Sequence, residues 1–190
     1  IQVWQQSQRN PFFCFSFSQK KELRQIKRLI DEKFFKEAES LLDSNKDFLL
    51  SGDSKTDSQY YYYATKIYTE TESFVLATSS LEKLMSINTS FYNSEMKLDY
   101  KNLEEILVVA LVNSAVADNS SKKWMQGVDK LLLAYDMNKE TNIDYLYFAA
   151  SGAVNAENFD LALEYYLTLK EKSYTGIIDE YFITNVQSGV

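Results

Sequence analysis

Residues 159–166 read Phe-Asp-Leu-Ala-Leu-Glu-Tyr-Tyr: an aromatic at Phe159, a small residue three positions on at Ala162, and a bulky residue four further at Tyr166. The same order recurs at Phe35, Ala38 and Leu42, at Phe74, Ala77 and Leu81, and at Trp124, Gly127 and Leu131. Offsets of three and four put all three residues on one face of a helix. The small residues at 38, 77, 127 and 162 are 39, 50 and 35 apart, to be set against the period of about 34 residues typical of helix–turn–helix repeats. Two helices cannot bury their apolar faces alone, so such units stack. The expected fold is all-α, an α-solenoid of about four antiparallel helix pairs.

Composition agrees. The 190 residues include five Gly and one Pro, too few for the hairpins and corners of an all-β fold. Hydrophobic content of 45% with 25% charge is globular rather than disordered. There is no histidine, and Cys14 is the single cysteine. That removes the usual general base, the usual metal ligand and the partner of a nucleophilic Ser or Cys. No metal, cofactor or catalytic residue is expected, and the chain reads as a non-enzyme. The least favoured reading is a helical-repeat carbohydrate enzyme working through two of Glu104, Glu105, Glu157 and Glu164. A net charge of −7 argues against nucleic acid and against an anionic membrane surface for the folded part. No apolar run approaches the length of about 20 residues that spans a bilayer, so no membrane insertion of the folded domain is expected.

Three segments are expected. In residues 1–19, Arg9 precedes an apolar run from Pro11 to Phe17, and Ser16-Phe17-Ser18 has the small-x-small form of a cleavage site. This predicts a secretory signal remnant, with a disordered tail as the alternative, and a secreted or periplasmic (cell-envelope) location. Residues 20–175 carry the helical repeats, and 176–190 read as an irregular tail. Within the repeats, residues 51–58 (SGDSKTDS) read as a loop with Asp57 or Ser58 as the cap of the next helix. That helix is expected to turn Tyr61, Ala64 and Tyr68 inward and leave Tyr62 exposed. Residues 98–117 form the longest helical candidate. Its ILVVALV run (106–112) is apolar all round, which predicts cover on several sides. Asp144 is expected to cap the seventh of eight helices.

These residues resemble the tetratricopeptide repeat family over about residues 20–175. The match is best at 142–175, with Ala149-Ala150 in a first helix, Glu157-Asn158-Phe159 at the turn, and Ala162 and Tyr166 in a second. Trp124 to Ala134 is similar, with Gly127 as the small residue. The FSFSQKK junction and the tyrosine-rich end look like envelope-targeted bacterial members. The resemblance implies a scaffold that binds a protein or peptide on the concave face built by the first helices. The groove positions it implies are Gln59, Tyr62 and Lys66, then Val109, Val112 and Val116, then Asp144, Tyr147 and Ser151. Tyr62, Lys66, Val112, Tyr147 and Ser151 are the candidate partner-binding residues. Only Lys66 among the nine is cationic, which departs from the family's carboxylate-clamp pattern. The alternative role is a structural subunit of a larger envelope complex.

Overall fold

A computed structural model describes residues 11–50 and 53–176, with side-chain surroundings from residue 18 onward. Among these residues the chain is all-helical: α1 (Pro11–Asp31), α2 (Phe35–Ser44), a short α3 (Lys46–Leu49), α4 (Ser54–Glu70), α5 (Phe74–Ser86), a 3₁₀ turn (Thr89–Phe91), α6 (Ser94–Ser120), α7 (Trp124–Met137), α8 (Ile143–Asn155) and α9 (Phe159–Glu171). The expected tail at 176–190 lies, after Gly176, outside the described residues.

Four connections share one design. α1 and α2, α4 and α5, α6 and α7, and α8 and α9 are each joined by three residues. The middle residue of each is left-handed: Lys33, Glu72, Lys122 and Glu157, at φ 62°, 58°, 58° and 57°. That conformation lets the residue after it turn back onto the spent helix. Phe34, Lys123 and Asn158 donate their amides to Leu29, Asp118 and Ala153, five residues back, at 2.8–2.9 Å. The recurring aromatic is then the first residue of the second helix, and the small residue its fourth. Ala38, Ala77, Gly127 and Ala162 each donate their amide to the last turn residue at 2.9–3.1 Å, the bond that starts the new helix. All four are buried, so the chain reverses where two backbones lie close together.

Each pair packs along its two helices. Pairs then join in chain order: α1 and α2 on α4, α5 on α6, and α7 on α8. Leu107 and Leu111 of α6 are completely buried with Ile67, Leu84 and Met96 in the largest core cluster. Burying a side chain of that size is worth about 1.5–3 kcal/mol. Ala115, Val128, Leu131, Ala149, Ala153 and Ala162 form a second cluster whose small members bring α6 to α9 close.

Four expectations need correction. First, α1 runs unbroken across residues 19 and 20, with Pro11 at the first helical position that proline favours. Gln19 is buried and donates to the Phe48 carbonyl at 2.7 Å, so the folded body begins before residue 20. Second, α4 starts at Ser54, because Asp53 rather than Asp57 or Ser58 accepts the orphan amide, from Thr56 at 2.9 Å. Third, α6 is covered on one face only: Leu107, Val108 and Leu111 are buried while Ile106 and Val109 are half-exposed. Fourth, Asn142 precedes α8, and Asp144 lies inside its first turn without capping it.

A Cβ built on Gly127 would sit 2.3 Å from Asn119 Oδ1 and 3.2 Å from the Ala115 carbonyl oxygen. Asn119 Oδ1 is itself buried without a hydrogen-bond partner. Gly127→Ala is therefore expected to lower stability by about 1–3 kcal/mol despite alanine's better helix propensity. Adding Asn119→Ala should recover most of that loss. Urea melts of the two variants against wild type measure both effects.

Candidate functional site

α4 is enclosed by α1 and α2 on one side and by α5 and α6 on another. Tyr60, Tyr62 and Tyr63 are consequently all buried, and Tyr61 is half-buried. Tyr62, expected on an open surface, has no accessible area. Its hydroxyl donates to Asp99 Oδ2 of α6 at 2.7 Å. Lys66, one turn along, donates to the same oxygen at 3.0 Å and lies 5.0 Å from the centre of the Tyr62 ring. Burial pushes the Asp99 carboxyl upward, but the bonds from Tyr62 and Lys66 outweigh it and hold the group below the usual range. Tyr62 and Lys66 thus join two helix pairs.

A second polar link lies where α4, α5, α6 and α7 meet. Lys130 donates to Asp118 Oδ2 at 2.5 Å and to Ser114 Oγ at 2.7 Å, and Ser114 Oγ is 3.1 Å from Glu72 Oε2. Glu72 is the left-handed residue of the α4–α5 turn, so this contact fixes a turn to the neighbouring pair.

Val112 is half-buried at the junction of the two core clusters and offers little surface. Val109 and Val116 beside it are half-exposed. Ser151 is half-buried on α8. Glu105, Glu157 and Glu164 are exposed and Glu104 partly so. The five predicted groove residues therefore form three separate settings: an internal Tyr62–Lys66 link, the Val112 junction, and Tyr147 with Ser151 on α8.

Tyr147 lies in the one setting that opens to solvent as a cleft. α8 turns Leu146, Ala149, Ala150 and Ala153 inward and leaves Tyr147 and Phe148 outside at 42% and 50% exposure. The Tyr147 ring centre is 5.7 Å from that of Phe148, 6.3 Å from Tyr166 of α9 and 6.0 Å from Tyr174 beyond α9. Tyr174 is placed by another left-handed turn at Ser173, and its hydroxyl donates to Asp144. That acceptor pushes the Tyr174 hydroxyl up to about 12, so it stays protonated and keeps donating. Asp144, Tyr147, Phe148, Tyr166, Lys170 and Tyr174 line the cleft. It offers aromatic faces with one carboxylate and one ammonium at its edge, which suits binding an extended, partly apolar ligand. The sequence reading names Phe148, Tyr166 and Tyr174 but places none of them in the groove; Tyr166 enters it as the bulky member of the fourth motif. Their only signal was the density of aromatics near residues 145–174, which also fits a core.

The chain matches no family model, no curated protein and no solved structure. Among the described residues no group of three or more metal-ligating side chains converges, and no helix is long and apolar enough to cross a membrane.

The depressed Asp99 carboxyl gives a signed pH effect. A carboxyl whose folded value lies below its unfolded value of about 3.9 stabilises the fold above that value, and the contribution fades as pH falls through the folded value. Asp99→Asn should therefore cost stability at pH 7, and the gap to wild type should close below about pH 4. Urea midpoints at pH 7 and pH 3 check this.

Proposed function

We propose that the chain is a protein-interaction scaffold that holds an extended segment of a partner in the α8–α9 cleft around Tyr147. The observation that carries this reading is the cluster of Tyr147, Phe148, Tyr166 and Tyr174 on an open surface, where large rings are normally withdrawn from water. Aromatic anchors dominate binding hot spots because they bury much area at low entropy cost. The resemblance to tetratricopeptide repeats supports the same role, as does the absence of histidine from the chain. An envelope location follows from the N-terminal reading and belongs to this proposal.

A second reading, as a structural subunit of a larger envelope complex, is favoured by α9. It exposes Phe159 at 64%, Leu163 at 58% and Leu167 at 48% on a helix packed chiefly against α8 alone. A broad apolar face of this kind suits permanent association more than a transient peptide.

The readings separate on two variants. Tyr147→Ala should weaken a captured partner by about 2 kcal/mol or more with little change in melting temperature. Leu163→Asp should leave that binding intact. Calorimetric titration measures both. If Leu163→Asp abolishes association and Tyr147→Ala does not, the α9 face is the working surface and the cleft reading fails. Tyr62→Ala is not a binding probe: it empties a buried site and should cost about 3–5 kcal/mol of stability.

A further inference from the structure

α7 and α9 are equivalent helices, a constant 35 residues apart, yet they are covered differently. That step carries Trp124, Val128, Leu131 and Leu132 of α7 onto Phe159, Leu163, Tyr166 and Leu167 of α9. α8 lies over this face of α7, where Val128 and Leu131 are buried in one cluster with Ala149 and Ala153 of α8. On α9 the matching positions are bare: Leu163 is 58% exposed and Tyr166 38%. Phe159 and Leu167 extend the open face along the helix. Large apolar side chains in a continuous row call for cover.

We propose that the occupant of this face is the chain's own segment 178–190, docked on α9 as α8 is docked on α7. Two observations select it. The first is the path of the chain. Ser173 is left-handed at φ 56°, and Tyr174 donates its amide to Leu169, five residues back, at 3.0 Å. This is the reversal that turns one helix of a pair onto the next. Tyr174, Thr175 and Gly176 consequently line the cleft beside Tyr166, which delivers the chain to the bare face just before Ile178. The second is the sequence. The same 35-residue step carries α8 (Ile143–Asn155) onto 178–190, with Ile143-Asp144 falling on Ile178-Asp179 and Leu146 on Tyr181. Ala149 and Ala153, the small residues clustered with α7, fall on the small Thr184 and Ser188. One position departs from the pattern. Gln187 stands where α8 has Gly152, at which an added Cβ would meet a Val128 methyl at 2.9 Å. The segment is therefore held farther from Leu163 than α8 is from Val128, and its contact is looser. Tyr147 corresponds to the half-buried Val112 of α6, so docking narrows the cleft from the Tyr166 side and leaves Tyr147 reachable. No partner in the cleft is needed for it.

The test is amide hydrogen exchange of the full chain with no partner present. Amides in 182–190 should exchange at least about ten-fold more slowly than in an unstructured peptide of that sequence. Leu163→Asp puts a charge on the bare face at an exposed position and should return these amides to the unstructured rate, while α1 to α7 keep their protection. Tyr181→Asp should do the same from the other side of the contact. Three results would overturn the proposal: exchange of 182–190 at the unstructured rate in the wild-type chain, protection that survives either variant, or protection that grows with protein concentration, which would assign the face to a second copy. The first of these leaves the Tyr147 cleft open to a partner, so it tells failure of self-docking apart from failure of the partner reading.

Discussion

The fold depends on one constraint, the close approach of two helix backbones at each chain reversal. A three-residue turn leaves no slack, so the fourth residue of the returning helix must be small. Ala38, Ala77, Gly127 and Ala162 meet that demand, and a larger side chain would push the pair apart. The left-handed residue before each reversal is never glycine here. Such a residue carries a cost of about 1–2 kcal/mol, which the surrounding packing must offset. At Glu72 part of the offset is visible, because Ser114, itself held by Lys130, donates to its carboxylate from the next pair.

Between pairs, tyrosine hydroxyls on carboxylates do much of the joining. Tyr62 of α4 bonds Asp99 of α6 and Tyr68 of α4 bonds Asp43 of α2, while Tyr174 bonds Asp144 of α8 within the last pair. A tyrosine can bury its ring in a helix interface while its hydroxyl reaches the polar rim. Burial and the nearby carboxylates raise the Tyr62 and Tyr68 hydroxyls well above their ordinary value, so both remain donors at any physiological pH. Directional bonds of this sort set the rotation of one pair on the next, which apolar contact alone leaves loose. The tyrosine-rich composition is thus in good part a structural device. Tyr147 and Tyr166 instead keep their rings at the surface.

The helix pairs were legible because small residues at a fixed offset from an aromatic report backbone approach, and approach is what the turns require. The helical period gives angles between residues but does not say which side of a helix faces a neighbour. For that reason Tyr62 was assigned to the surface, although α4 is enclosed from several directions. The same limit hid the open side of α6 at Ile106 and Val109. The start of α4 was misplaced because SGDSKTDS offers several cap-competent side chains, and only the amide at Thr56 selects Asp53. In the site, Tyr147 was legible from its register on α8. Phe148, Tyr166 and Tyr174 were not, because their juxtaposition needs two helices and the turn at Ser173.

Nuclear Overhauser contacts across the paired helices test the close-approach account most directly. It places Gly127 against Asn119 and the Ala115 backbone, and Gly152 of α8 with its Cα side 2.9 Å, at an added Cβ, from a Val128 methyl of α7. Cross-peaks from the Gly127 α-protons to Ala115 and Asn119, and from the Gly152 α-protons to the Val128 methyls, are the predicted result. Their absence from a well-assigned spectrum, or helical shifts running unbroken through Glu72, Lys122 or Glu157, would contradict it.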